Sequence, residues 1–128
     1  MKILYFKPDV PLGKKVETIN PQKIPLPSGF NITKIHYSFL APGVWAGNHK
    51  HSRVEIFISY DELLFIWLDK NGKEHKEVMG KTNEGLVKVF VVEPQTPHLI
   101  VNKSEKPSTY VELCDGKLDD VVKLEMIN

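Results

Sequence analysis

The chain has 128 residues, with 17 basic side chains against 16 acidic ones, a net charge of +1 and a single cysteine, Cys114. That length fits one domain with its own core and leaves little room for a second. The charge balance supplies no field to recruit nucleic acid or an anionic membrane, and a lone cysteine excludes an intramolecular disulfide.

From the N-terminus, Lys2 to Lys7 predicts a short strand. The opening is too short in its apolar run for a secretory signal, and Leu63 to Leu68, the longest apolar stretch elsewhere, falls far below a membrane span. With the unpaired cysteine, this gives the expectation of a soluble, cytoplasmic protein whose partner is a small molecule. An arm follows that carries Pro8, Pro11, Pro21, Pro25 and Pro27, five of the nine prolines. Proline at this density excludes a helix and a central strand, so the arm is expected to wrap an edge. The chain thus divides into a strand and Pro-rich arm over 1–29 and a β-barrel over 30–128. Whether the arm covers its own barrel or crosses to a second copy is left open by the sequence.

From Phe30 onward the period is two. Ile35, Tyr37 and Phe39 alternate with Lys34, His36 and Ser38 before Ala41-Pro42-Gly43 interrupts. Trp45 then lies between Gly43 and Gly47, in what reads as a loop ahead of the histidines. Glu55 to Ser59 and Leu63 to Leu68 read as strands, with Tyr60-Asp61-Glu62 as a hairpin turn between them, and Asn71-Gly72 marks a second hairpin. Leu86 to Val92 is a nearly continuous β-branched run, and Ser108 to Cys114 gives another strand after the polar Asn102 to Pro107 turn. Asp119 to Ile127 reads as a last strand in preference to a short helix. Short strands at this spacing predict an all-β sandwich or barrel.

Within this pattern, Gly43-x5-His49-x-His51-x3-Glu55 and Pro94-x3-His98-x3-Asn102 place three of five histidines and a carboxylate on predicted strands. Neutral imidazoles with a carboxylate suit a divalent first-row metal, and residues i and i+2 of a strand project from one face. His98 follows Pro97, which biases it to open an extended segment with Ile100 and Asn102 on its own face. Four ligands, His49, His51, Glu55 and His98, would leave one or two positions open for water or substrate, the mark of a catalytic rather than a structural metal.

These residues resemble the two signature motifs of the cupin superfamily, small jelly-roll β-barrels that commonly hold one metal. The first family motif, Gly-x5-His-x-His-x3 or 4-Glu-x6-Gly, is matched from Gly43 through Glu55, with Glu62 where the closing glycine would stand. Of the second, Pro94, His98 and Asn102 are kept, with shortened Pro-to-His spacing and both glycines absent. The resemblance runs from about Phe30 to Asp115. It implies a jelly-roll barrel, one divalent ion (Mn, Fe, Zn or Ni) and a homodimer. The stretch Gly47 to His51 is also similar to cupin domains that handle nucleotide-linked sugars. Some of those use a histidine pair without metal and lack the residue corresponding to Glu55, so its presence favours metal binding here.

Around the ligands, His36, Tyr37, Tyr110 and Glu112 are candidate proton-transfer groups on flanking strands. Arg53, the only arginine, offers a fork for an anionic substrate, and Trp45 an aromatic face for a sugar. Asn102 is a candidate hydrogen-bonding partner for His98, or the residue that ends its strand. The leading functional expectation is a metal-dependent isomerase or epimerase of a carbohydrate-like, nucleotide-linked substrate. An iron dioxygenase of a small molecule and a non-catalytic metal- or sugar-binding module are the alternatives.

Overall fold

The computed structural model describes residues 1–11, 15–116 and the backbone of 122–123. Its strands are β1 (Lys2–Phe6), β2 (Lys34–Leu40), β3 (Trp45–Lys50), β4 (Glu55–Ile58), β5 (Leu64–Leu68), β6 (Glu74–Val78), β7 (Val87–Val92), β8 (His98–Val101), β9 (Ser108–Cys114) and β10 (Val122–Lys123). They form two five-stranded antiparallel sheets, ordered β1-β7-β4-β9-β2 and β10-β3-β8-β5-β6. No helix among the described residues is long and apolar enough to cross a membrane.

The two sheets face each other across one apolar interior built from alternate residues of both. Phe57 and Phe90 of the first sheet meet Phe65 of the second with ring centroids 5.4 and 4.8 Å apart. The near-continuous apolar run of β7 reflects burial on both faces. Phe90 and Val92 point into the sandwich, while Val87, Val89 and Val91 point outward beneath a second apolar layer. That layer comes from the proline-rich arm, whose Ile24 is 4% exposed and whose Ile19 and Leu26 pack with it. The arm therefore covers the outer face of its own sheet, and β1 pairs with β7 in register Lys2 to Val91.

Two expectations change. Tyr60-Asp61-Glu62 is not a hairpin turn: β4 is hydrogen-bonded on both sides, by β7 and β9, and has no free edge for β5. The segment crosses between sheets instead, with Asp61 Oδ2 accepting from Thr109 N–H at 2.7 Å. Trp45 opens β3 rather than lying in a loop. By contrast, the Asn71-Gly72 hairpin forms between β5 and β6. Of the segment Asp119 to Ile127, Val122 and Lys123 pair with Lys50 and His49, and the remainder lies outside the described residues.

Candidate metal centre

All four predicted ligands converge at one end of the sandwich. His49 is the last residue but one of β3, β8 begins at His98 and β4 begins at Glu55, so three strand ends meet there. A bulge between Gly47 and His49 adjusts the approach of β3 to β8. Gly47 at φ +92° and Asn48 at φ +64° supply the left-handed backbone that inserting a residue requires. The bulge also reverses the alternation: Ala46 packs inward, so Trp45 points out and is 46% exposed, while His49 turns in. Gln95 N–H donates to the His51 carbonyl at 2.7 Å, which pins the end of β3 to the loop that delivers His98.

The three imidazole rings form a near-equilateral triangle, with centroids 5.0, 5.1 and 5.2 Å apart. One ligand atom from each of the four residues lies within 4.8 Å of the others. His51 and His98 are each 1% exposed and Glu55 is fully buried. Both imidazoles face Glu55 Oε1 through Nε2, His98 at 3.2 Å and His51 in still closer contact. These three atoms and His51 Nδ1 are buried without a well-formed hydrogen bond. Orphaned lone pairs at such depth are costly unless something binds them. A divalent cation answers that need, and the donor set is one it accepts.

The surroundings prepare these ligands. His98 Nδ1 lies 2.8 Å from the Thr96 carbonyl, which can only accept, so the proton sits on Nδ1 and the Nε2 lone pair is free to ligate. Arg53 donates from Nη2 to Glu55 Oε2 at 2.7 Å. Burial pushes the Glu55 carboxyl up, but the facing His51 and His98 and the neighbouring Glu112 outweigh it and hold it well below the usual carboxylate range. Burial, then the charges of His98 and His51, brings His49 down to about 4.

A cavity of about 110 Å³ opens beside His49 and His98. Its other walls include Phe57, Ile100, Tyr110 and Glu112. Glu112 and His36 are register partners on β9 and β2, with Glu112 Oε1 2.8 Å from His36 Nδ1. Burial, then a hydrogen bond shared with Glu55, raises the Glu112 carboxyl to about 7. Burial also raises the Tyr110 hydroxyl.

The other candidates stand elsewhere. Tyr37 points to the outer face and is 75% exposed, because β2 turns His36 and Ser38 inward. Arg53 commits Nη2 to Glu55, keeps Nε and Nη1 buried without a partner among the described residues, and does not line the cavity. Asn102 ends its strand, donating to the carbonyls of Leu40 and Lys106 and accepting from Ser104. The group that orients His98 is the Thr96 carbonyl, a backbone atom with no mark in the sequence. The contact of Cys114 Sγ with Glu55 Oε2, at 3.6 Å, was also unforeseen, although β9 alternation places Cys114 on the face of Glu112.

This geometry carries two expected outcomes. A Cβ at Gly47 would meet His98 O at 3.1 Å and Leu99 Cα at 3.2 Å, both backbone atoms, at a strained φ. Gly47→Ala should therefore cost roughly 1–3 kcal/mol in chemical denaturation and weaken metal binding by displacing His98. Because every imidazole must be neutral to ligate and burial beside His98 and His51 holds His49 down to about 4, His49 should stay available as a ligand until pH falls toward that value, where metal affinity should drop. Calorimetry between pH 7 and 4 checks this, and affinity unchanged down to pH 4 would contradict it.

The two facing sheets, the paired motifs and the interior histidine cluster define the cupin fold. No family model matches the chain, and neither does any curated protein. Among solved structures, it is similar to WlaRA, a TDP-fucose-3,4-ketoisomerase from Campylobacter jejuni. The two share 18% identity over 94% of this chain and 87% of that one, with a TM-score of 0.72. It is also similar to a 3,4-ketoisomerase from Helicobacter canadensis, at 16% identity, 95% and 89% coverage, and TM-score 0.71. The capsular polysaccharide assembling protein CapF from Staphylococcus aureus matches at 18% identity and TM-score 0.62 over 73% of this chain, which spans only 27% of CapF.

Proposed function

We propose that the protein is a metal-dependent isomerase or epimerase that moves a proton next to a carbonyl in a carbohydrate-like substrate. The observation that carries this reading is the Glu112 carboxyl, backed by His36, on the wall of the cavity that His49 and His98 also line. His49, His51, Glu55 and His98 would hold one divalent ion, with Mn, Fe, Zn and Ni all suited to the set. When bound, the ion supplies a Lewis acid that polarises a carbonyl or a hydroxyl pair. Glu112 takes the proton from the hydroxyl-bearing carbon beside the carbonyl and returns it to the former carbonyl carbon as the hydroxyl proton passes to the carbonyl oxygen, while His36 steadies the carboxylate and, being 43% exposed, connects it to solvent. Tyr110 stands on the same wall to hold a substrate oxygen.

The cavity's size narrows the substrate. About 110 Å³ admits the reacting atoms and excludes a whole nucleotide sugar, so any nucleotide must lie outside the mouth. The ketoisomerases of similar fold make nucleotide-linked keto sugars the first substrates to test. Incubation in deuterium oxide should place deuterium next to the substrate carbonyl by NMR, and a panel of such sugars that binds without exchange would contradict the assignment.

The same reading includes a cytoplasmic homodimer. Ile35, Tyr37 and Phe39 project from the edge strand β2 at 63, 75 and 63% exposure, beside an apolar groove of about 280 Å³ lined by Ile58, Tyr60 and Val111. A second copy covering this face would bury all three. Tyr37→Lys should then lower the mass in light scattering from dimer to monomer, and a wild-type monomer would refute the homodimer.

A further inference from the structure

Beyond the first centre, a second set of donors shares the inward face of the same sheet. His36 of β2 pairs in register with Glu112 of β9, Cys114 follows Glu112 by two residues on the same face, and Cys114 pairs in register with Glu55 of β4. One ligand atom each from His36, Glu112 and Cys114 lies within 4.8 Å of the others. The Cys114 thiol is fully buried, yet its sulfur approaches the Glu55 carboxylate at 3.6 Å rather than only apolar side chains. Two carboxyl groups, Glu55 and Glu112, adjoin here in a largely buried space, and Arg53 meets only Glu55 Oε2. His36 is exposed enough to admit an ion from solvent.

We propose that His36 Nδ1, a Glu112 oxygen and Cys114 Sγ form a second cation site, selective for a thiophilic divalent ion such as Zn²⁺. Imidazole, carboxylate and thiolate together are a zinc-type donor set, distinct from the all-N/O set of the first centre. The sulfur–metal bond forms as the thiol proton leaves to solvent, with no change of oxidation state. The site is assembled by the sheet itself, since all three donors sit on neighbouring strands and need only side-chain rotation to close on an ion. Occupancy would also take Glu112 out of proton transfer, so excess Zn²⁺ would inhibit the enzyme; this consequence, unlike the site, rests on the proposed function.

Cobalt separates the two centres without reference to activity. Metal-stripped, thiol-reduced full-length protein titrated with Co²⁺ should take up two equivalents. The first should show only weak visible bands, and the second should add an intense near-ultraviolet sulfur-to-cobalt band. Cys114→Ser should abolish that band and the second equivalent while keeping the first. His36→Gln, at a half-exposed position that tolerates change, should weaken the second equivalent at least tenfold and guards against a misfolded Cys114→Ser. Uptake of one equivalent without a sulfur band overturns the second site and leaves the first intact. A single equivalent that carries the sulfur band supports the second site and overturns the first.

Discussion

Changing His49 and His51 together to alanine should empty the first centre of Mn²⁺, an ion that a thiolate-bearing site disfavours, and leave a folded sandwich. Two of the four ligands disappear, and each ligand matters more than the surrounding hydrogen bonds, whose loss alone costs tenfold to a hundredfold in affinity. A fall of about a thousandfold or more is therefore expected for the pair. The fold should persist because Phe57, Phe65 and Phe90 form the interior contacts between the sheets and neither histidine is among them. Glu55 also keeps its Arg53 partner, so no buried charge is left alone. Thermal unfolding gives the readout. An ion at a hundred times its dissociation constant stabilises the native state by about 2.7 kcal/mol, so added Mn²⁺ should raise the wild-type midpoint and leave that of the variant unmoved. A double variant that still gains stability from Mn²⁺ would show that this ion is held elsewhere.

The second large effect is expected at Glu112. Glu112→Gln keeps the shape and a hydrogen-bonding partner for His36 but removes the group that accepts a proton from carbon. Loss of a positioned general base typically costs 10²–10⁴-fold, so deuterium exchange into substrate should fall by about that factor. Occupancy of the first centre should remain, because none of its four ligands changes. His36→Gln should lower the rate less, since His36 acts through Glu112 and not on the substrate. If Glu112→Gln retains full exchange, the base lies elsewhere, and Tyr110 is the remaining proton carrier on that wall.

Much of this site was legible because strand alternation and motif spacing are local properties. His49-x-His51, Glu55 and the start of β8 at His98 follow from alternating apolar residues, from Pro97 and from the short stretch between the histidines and Glu55. Which wall a side chain faces was harder. Trp45 and His49 are four residues apart and should share a face, but the bulge at Gly47-Asn48 separates them; a glycine inside a strand pattern was the available signal. On β2, alternation separates Tyr37 from His36, so both cannot serve one site; Ile35, Tyr37 and Phe39 face outward and the inward positions go to His36 and Ser38. The Tyr60-Asp61-Glu62 turn misled because a hairpin and a crossing between sheets look alike locally, and only the pairing of β4 on both edges tells them apart. Arg53 was legible as unusual, but its partner, Glu55, depends on how the chain folds back between β3 and β4.

The central claim is that His49, His51, Glu55 and His98 hold one divalent ion while leaving a position open toward Glu112. An anomalous-difference map from crystals grown with Mn²⁺ tests it most directly, since manganese favours the nitrogen and oxygen donors of this centre over thiolate. The account predicts a peak about 2.0–2.3 Å from all four ligand atoms, with water or substrate completing the shell on the cavity side. A map with no peak there, and with the imidazoles still turned onto Glu55, would contradict it.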